Sequence, residues 1–218
     1  GTSGLLLAYL ALQIKKGEVI ISPSINFIAS VNMANFIGAK IYLTDVDPFT
    51  GHMRPVDLEN CIKKNKIKKI NTVVIMHNSG LPVDMIGFGK LKKKYKFNII
   101  EDACHALGAK YSLKKDDNVG NCKYSDISVF SFHPVKSITT GEGGMITTNN
   151  KRIFEKLKIY RNHGIVRKKS SPKVYNWDYK VIAPGFNFRL SDFQCALGIN
   201  QLKKLDKFVY ERKNIAEK

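Results

Sequence analysis

The sequence predicts an α/β domain built around a largely parallel sheet, and three observations carry that reading. Short β-branched runs alternate with longer helical patterns through the first half of the chain, as in successive βα units. One of those runs is closed by two acids, Glu101-Asp102, at the carboxyl edge where open α/β sheets take their ligands. Finally, 218 residues with 44% apolar content supply a packed core for one large domain, or one domain with part of a second.

The elements follow in order. Gly1-Thr2-Ser3-Gly4 stands ahead of an all-apolar helix that starts at Leu5. Strands are predicted over 19–22, 40–44, 72–76 and 98–100, with helices over 29–36, 56–66 and 85–96 between them. Two further strands are predicted over 125–132 and 144–148. From Asn149 the period turns helical, with Ile153, Leu157 and Tyr160 on one face and Gly164 as the expected C-cap. The stretch 167–180 has loop composition. Ser191, with Gln194 three residues on, makes a capping box; the helix it opens carries Phe193, Ala196, Leu197, Leu205 and Phe208. There is no internal repeat, no G-x-G-x-x-G and no P-loop, so dinucleotide-binding and NTPase folds lack their phosphate signatures.

Composition narrows the function classes. The apolar run from Leu5 to Ile14 is broken by Gln13 and stops at Lys15-Lys16, short of the ~18–20 residues a bilayer span needs, so no membrane association is expected. The balance of 36 basic against 18 acidic residues gives a formal +18, which favours anionic partners. Lys63-Lys64, Lys68-Lys69 and Lys92-Lys93-Lys94 lie at or near predicted helix ends, so a solvated face accounts for them as well as a ligand does. A nucleic-acid binder would need a basic and aromatic module, and no RRM, KH or zinc-finger pattern is present. Cys61, Cys104, Cys122 and Cys195 show no metal-ligand spacing, so the expectation is a reduced, cytoplasmic chain without a metal. With Gly1 at one end and a helix-like charged run at the other, the chain reads as an internal piece of something longer.

Three segments could carry chemistry. Free N–H groups, two hydroxyls and a positive helix end converge at Gly1–Gly4, which suits a phosphate-sized anion or an ordinary N-cap. Asp102, with His105 three residues on, could pair with a cation on a ligand or cap the next turn. Lys136 ends the turn after the buried-looking strand and precedes the Gly-rich Gly141-Glu142-Gly143-Gly144. A partly desolvated lysine there would be a Schiff-base nucleophile, although the chain has many lysines.

Taken jointly, these segments resemble the pyridoxal-phosphate-dependent nucleotide-sugar aminotransferases of fold type I, the DegT/DnrJ/EryC1/StrS type. The matching residues are Gly1-Thr2-Ser3-Gly4-Leu5, the run from Ser22 through Asn26-Phe27 to Ser30, Asp45-Val46-Asp47-Pro48, His77-Asn78-Ser79-Gly80 and Glu101-Asp102-Ala103-Cys104-His105. They continue with the run from Ser131 through Lys136 to Gly144, Asn162-His163-Gly164, and Gly185-Phe186-Asn187-Phe188-Arg189. The fold so implied is the large domain of that group, present as a fragment, with a mostly parallel central sheet flanked by helices. The implied boundaries are a cofactor-binding large domain over 1–190, lacking its N-terminal segment, and a connecting helix over 191–218 towards a missing small C-terminal domain.

The resemblance also implies roles. Lys136 would be the Schiff-base lysine and proton carrier, and Asp102 would pair with the pyridine nitrogen. Phe27 would stack on the ring, Thr2, Ser3 and Ser131 would hold the phosphate, and His105 would lie near the 3-hydroxyl, where many relatives carry Gln. Asn187, with Arg189 beside it, would reach the site of a neighbouring subunit, so a homodimer with shared sites is implied. The implied reaction moves an amino group from L-glutamate to the C4 ketone of a UDP-linked 4-keto-6-deoxy-N-acetylamino sugar of the pseudaminic acid type. Another nucleotide-linked keto sugar is the alternative substrate. A sugar dehydratase of the same superfamily would carry His where this chain has Lys136.

Overall fold

The computed structural model describes residues 1–114, 117–167 and 179–217. Six strands form one sheet in the order β2-β1-β3-β4-β5-β6, namely β1 Val19–Pro23, β2 Lys40–Thr44, β3 Thr72–Met76, β4 Asn98–Asp102, β5 Ile127–Ser131 and β6 Gly144–Thr147. Strands β1 to β5 run parallel, and β6 returns antiparallel to β5. Helices α2 Ala29–Phe36, α3 Pro55–Lys64 and α4 Met85–Tyr95 make the crossovers. The expected mostly parallel α/β architecture is what the chain adopts.

The strands read as nearly unbroken apolar runs because both faces of the sheet are covered. Ile20, Val74 and Ile100 enter a core shared with α1 Thr2–Ala11, α2 and α5 Lys151–Arg161, while Ile21, Val73, Ile75 and Ile99 enter a second core under α3 and α4. Helix α1 is apolar all round and is accordingly buried at Leu5, Leu6, Leu7, Ala8 and Tyr9, against α2, α5, β5 and β6. Each large side chain so buried contributes about 1.5–3 kcal/mol. Strand alternation continues to the end of β4, so Glu101 falls on the α3–α4 side and Asp102 on the α1 side. A third cluster joins Ala103, Ala106, Phe130, Phe132 and Ile138 to Leu205 and Phe208.

Several boundaries differ from the sequence expectation for identifiable reasons. Helix α1 already includes Thr2, Ser3 and Gly4, since first-turn N–H groups need no intrahelical acceptor. Strand β4 runs two residues further, because it pairs with β3 as far as Met76 opposite Asp102. Strand β5 is shorter than the predicted 125–132. Helix α5 begins after Asn150, whose side chain accepts the N–H groups of Arg152 and Ile153, and it ends at Arg161. Gly164 is therefore not its C-cap but a positive-φ turn, at +71°, into β7 Ile165–Arg167. The region expected to be loop begins and ends in strand, since β7 pairs with β8 Tyr179–Val181, and residues 168–178 lie outside the described residues. The capping box at Ser191 and Gln194 is present, but the helix it opens, α6 Asp192–Leu202, breaks at Lys203-Lys204. Leu205 and Phe208 thus belong to a separate helix, α7 Leu205–Ala216, and the break lets them turn onto the third cluster.

Some of the lysines have local partners. Lys63 and Lys64 sit in the last turn of α3, and Lys92, Lys93 and Lys94 in that of α4. Lys92 pairs with Asp126 at 2.6 Å, and Lys94 with Glu59 at 2.5 Å. Among the described residues no helix is long and apolar enough to cross a membrane. No His, Cys, Asp and Glu cluster among them could hold a metal ion, and the four cysteines are unpaired thiols.

Candidate active site

Asp102 is the last residue of β4 and is 2% exposed. Its Oδ1 accepts the Cys104 N–H at 3.3 Å and its Oδ2 accepts Asn26 Nδ2 at 3.4 Å. The turn-capping reading of this acid is realised at one oxygen, and the other oxygen accepts from Asn26. His105 follows on that turn, and its Nδ1 accepts the Ser79 N–H at 3.3 Å. Burial, then the positive charge of Lys136, lowers the His105 pKa below its usual 6.5. The imidazole is thus neutral at neutral pH, and with Nδ1 accepting, the proton sits on Nε2.

Lys136 lies in the turn after β5, half-buried, with its N–H donating to His133 O at 2.9 Å. Its carbonyl accepts Arg212 Nη2 from α7 at 3.0 Å. Its charge acts on His105 and also on Cys104, whose thiol is pushed up by burial and by Asp102. Lys136, His105 and Asp102 therefore share one electrostatic neighbourhood at the carboxyl end of the sheet.

The start of α1 closes the other side. A Cβ on Gly1 would stand 2.9 Å from Cys104 Sγ and 3.3 Å from Ser131 Cβ, so this corner admits only glycine without displacement. The Leu5 N–H bonds Gly1 O, which leaves the N–H groups ahead of it without an intrahelical acceptor. Neither Thr2 nor Ser3 makes a side-chain cap, and both are exposed. Of the two readings of Gly1–Gly4, side-chain capping is thus not realised. The open N–H groups and the helix dipole remain beside the Ser131 hydroxyl, an arrangement suited to an anion.

Phe27 is 68% exposed, one residue after the Asn26 that touches Asp102. Asn187 stands apart: it forms an antiparallel bridge with Asn162 beyond α5 and is exposed. That segment is docked by Phe186 N–H to Tyr160 O at 2.8 Å, His163 N–H to Phe186 O at 2.9 Å, and Arg189 Nη1 to Asn162 Oδ1 at 2.6 Å. His77 is fully buried, with Nε2 at 2.7 Å from Glu101 Oε2, so it is a satisfied structural group. Three participants carry no role from sequence: Asn26, Arg212 and the Glu101–His77 pair. Arg212 lies 76 positions from the lysine it braces, a separation that no spacing rule reaches.

The whole chain, residues 1–218, matches the DegT/DnrJ/EryC1/StrS aminotransferase family. The chain belongs to this family. It is 44% identical over 214 residues to a Campylobacter jejuni UDP-4-amino-4,6-dideoxy-N-acetyl-beta-L-altrosamine transaminase, covering 98% of this chain and 53% of that protein. Helicobacter pylori PseC, an aminotransferase involved in the biosynthesis of pseudoaminic acid, superposes with a TM-score of 0.79 at 31% identity. That match covers 94% of this chain and 52% of PseC. NtdA from Bacillus subtilis, solved with bound cofactor PMP, superposes with a TM-score of 0.78 at 28% identity, over 94% of this chain and 42% of NtdA. This family member therefore spans about half the length of the curated relatives it matches.

Proposed function

We propose that this chain is the cofactor-binding part of a pyridoxal-phosphate-dependent aminotransferase that transfers an amino group from L-glutamate to the C4 ketone of a UDP-linked 4-keto-6-deoxy sugar. The observation that carries the reading is the open start of α1 packed against Cys104 and Ser131, next to the Asp102 strand end and the turn that bears His105, in a chain of this family. Support for the substrate class comes from the transaminase named for a UDP-linked altrosamine at 44% identity. We read residues 1–190 as the large domain and 191–218 as leading towards a small one.

The residues present fit the cofactor. The cradle around Gly1, which a Cβ would fill, lies beside the Ser131 hydroxyl, and together with the unpaired helix N–H groups the hydroxyls of Thr2, Ser3 and Ser131 would hold a phosphate. Asp102 offers a buried carboxylate to the ring nitrogen, Phe27 lies ready to cover a ring face, and His105 Nε2–H would donate to the ring hydroxyl. That donor replaces the amide N–H of the Gln many relatives carry. When bound, the group supplies an electron sink for charge developing at the substrate carbon.

The chain's own residues do the rest. Lys136 would hold the cofactor through its amine and, once that amine is free, would carry a proton to and from the reacting carbon. Asp102 would hold the ring nitrogen protonated. Donor and acceptor use the same site in turn, which requires ping-pong kinetics. Asn187, backed by Arg189 and Asn162, would reach the phosphate of a second subunit, making the active form a dimer. Four free thiols favour a reducing, cytoplasmic setting.

The test supplies full-length protein with L-glutamate and candidate UDP-linked keto sugars and identifies the product by mass and NMR. An amine at C4 supports the reading. Amination of another carbon corrects the regiochemistry, and no amination of any keto sugar overturns the reaction.

A further inference from the structure

Asn26 ties together the two sides of the proposed ring site. Its Nδ2 donates to Asp102 Oδ2 at 3.4 Å and to Ser30 Oγ at 3.3 Å. Ser30 is fully buried and is itself held, with its hydroxyl 3.2 Å from Ser22 Oγ and its carbonyl accepting the Tyr9 hydroxyl at 3.0 Å. Charge decides which way the amide faces, because turning it over would set Oδ1 against the Asp102 carboxylate. In the orientation adopted, Oδ1 is buried and accepts no hydrogen bond. Buried polar atoms are ordinarily paired, so this side chain is kept for what its N–H end does. Helix capping does not account for it, since α2 has Ile28 as its N-cap and no side-chain cap bond. The next residue is Phe27, on a loop whose residues 24–28 are otherwise exposed.

We infer that Asn26 is a positioning residue that locks the Phe27 loop to the Asp102 carboxylate, so that the partner of the ring's face and the partner of its nitrogen are held in one register. The inference rests on the cofactor site proposed above. Asp102 has two N–H donors, one from its own turn and one from Asn26. Without the second, its Oδ2 is free to rotate away from the ring edge, and Phe27 loses its tether one residue away. Asn26 acts through those two neighbours and touches no reacting atom.

The test uses full-length Asn26→Ala and Asn26→Asp proteins beside the unaltered protein, all loaded with pyridoxal phosphate. Asn26→Ala should keep its fold, lose most of the circular dichroism induced in the bound cofactor's visible band, and slow the glutamate half-reaction about tenfold to a hundredfold. Asn26→Asp, with a second carboxylate against Asp102, should do worse than Asn26→Ala. On an Asp102→Asn background, Asn26→Ala should change cofactor dissociation by less than about threefold, because the partner it acts through has already been altered. A merely structural role would lower the melting temperature while leaving the induced dichroism and the half-reaction intact, and that outcome overturns the inference. So does full additivity with Asp102→Asn. Should Asn26→Ala fail to fold, Asn26→Ser, which keeps a small polar group, is read by the same criteria. Unaltered protein that takes up no pyridoxal phosphate overturns the parent reading as well, whereas normal uptake with unaffected Asn26 variants overturns this inference alone.

Discussion

At the end of β4 two adjacent carboxylates take different surroundings because alternation sends them to opposite faces of the sheet. Asp102 has one N–H donor on each oxygen, from Cys104 and from Asn26, and under the proposed function its carboxylate would serve the ring nitrogen. Asp102→Asn should leave the melting temperature nearly unchanged while cutting turnover at least roughly a hundredfold, since it removes charge from the transition state rather than from the core. Near-normal single-turnover rates would assign the ring nitrogen to another group. Glu101 is enclosed by His77, Ser128 at 2.8 Å, Ser125 and Tyr111, all donating to it. Burial pushes its pKa up, but the His77 hydrogen bond and the other donors outweigh burial and hold it below 4.5. A depressed folded-state pKa stabilises the protein above the unfolded value, and that stability is lost as pH falls below 4.5 towards the folded value. Glu101→Gln should therefore lower stability near neutral pH by roughly 1–3 kcal/mol and flatten the acid limb, as read by urea midpoints across a pH series. Parallel acid limbs in the two proteins would contradict the assignment.

At the scale of elements, the segment carrying Asn187 depends on one turn. Gly164, at φ +71°, lets the chain leave α5 so tightly that a Cβ there would overlap the carbonyl of Ala183. Gly164→Ala should cost about 1–3 kcal/mol and release the 183–188 segment from the end of α5, seen as a lower denaturation midpoint with faster amide exchange at Phe186 and Phe188. An unchanged midpoint would show that the docking is not what holds that segment. This turn also shows where sequence reading reaches its limit. The central strands of the parallel sheet are legible because they are buried on both faces and so are nearly apolar throughout, as in Thr72–Met76; the edge strand Lys40–Thr44 is covered only in part. The positions of Asp102 at the end of one strand and of Lys136 in the turn after another are legible because both strands are apolar runs with clear ends. The role of Gly164 is not, since a glycine after a helical pattern reads as a C-cap whether or not a distant carbonyl crowds it. The break at Lys203-Lys204 is hidden for a related reason: both halves are helix formers, and only the third cluster, which draws Leu205 and Phe208 inward, separates them.

For the molecule as a whole, the proposed shared-site dimer makes subunit mixing the informative experiment. Inactive Lys136→Ala protein mixed with inactive Asn187→Ala protein should recover part of the activity once subunits exchange, because one site in each hybrid then carries neither lesion. Exchange without recovery would place Asn187 in service of its own chain. The central proposal is more direct: Lys136 would be the residue that holds the cofactor. It is tested by reducing full-length, cofactor-loaded protein with borohydride and mapping the modified peptide by mass spectrometry. The expected result is a single phosphopyridoxyl group on Lys136, absent from Lys136→Ala protein; the group on any other lysine, or no group at all, would contradict the account.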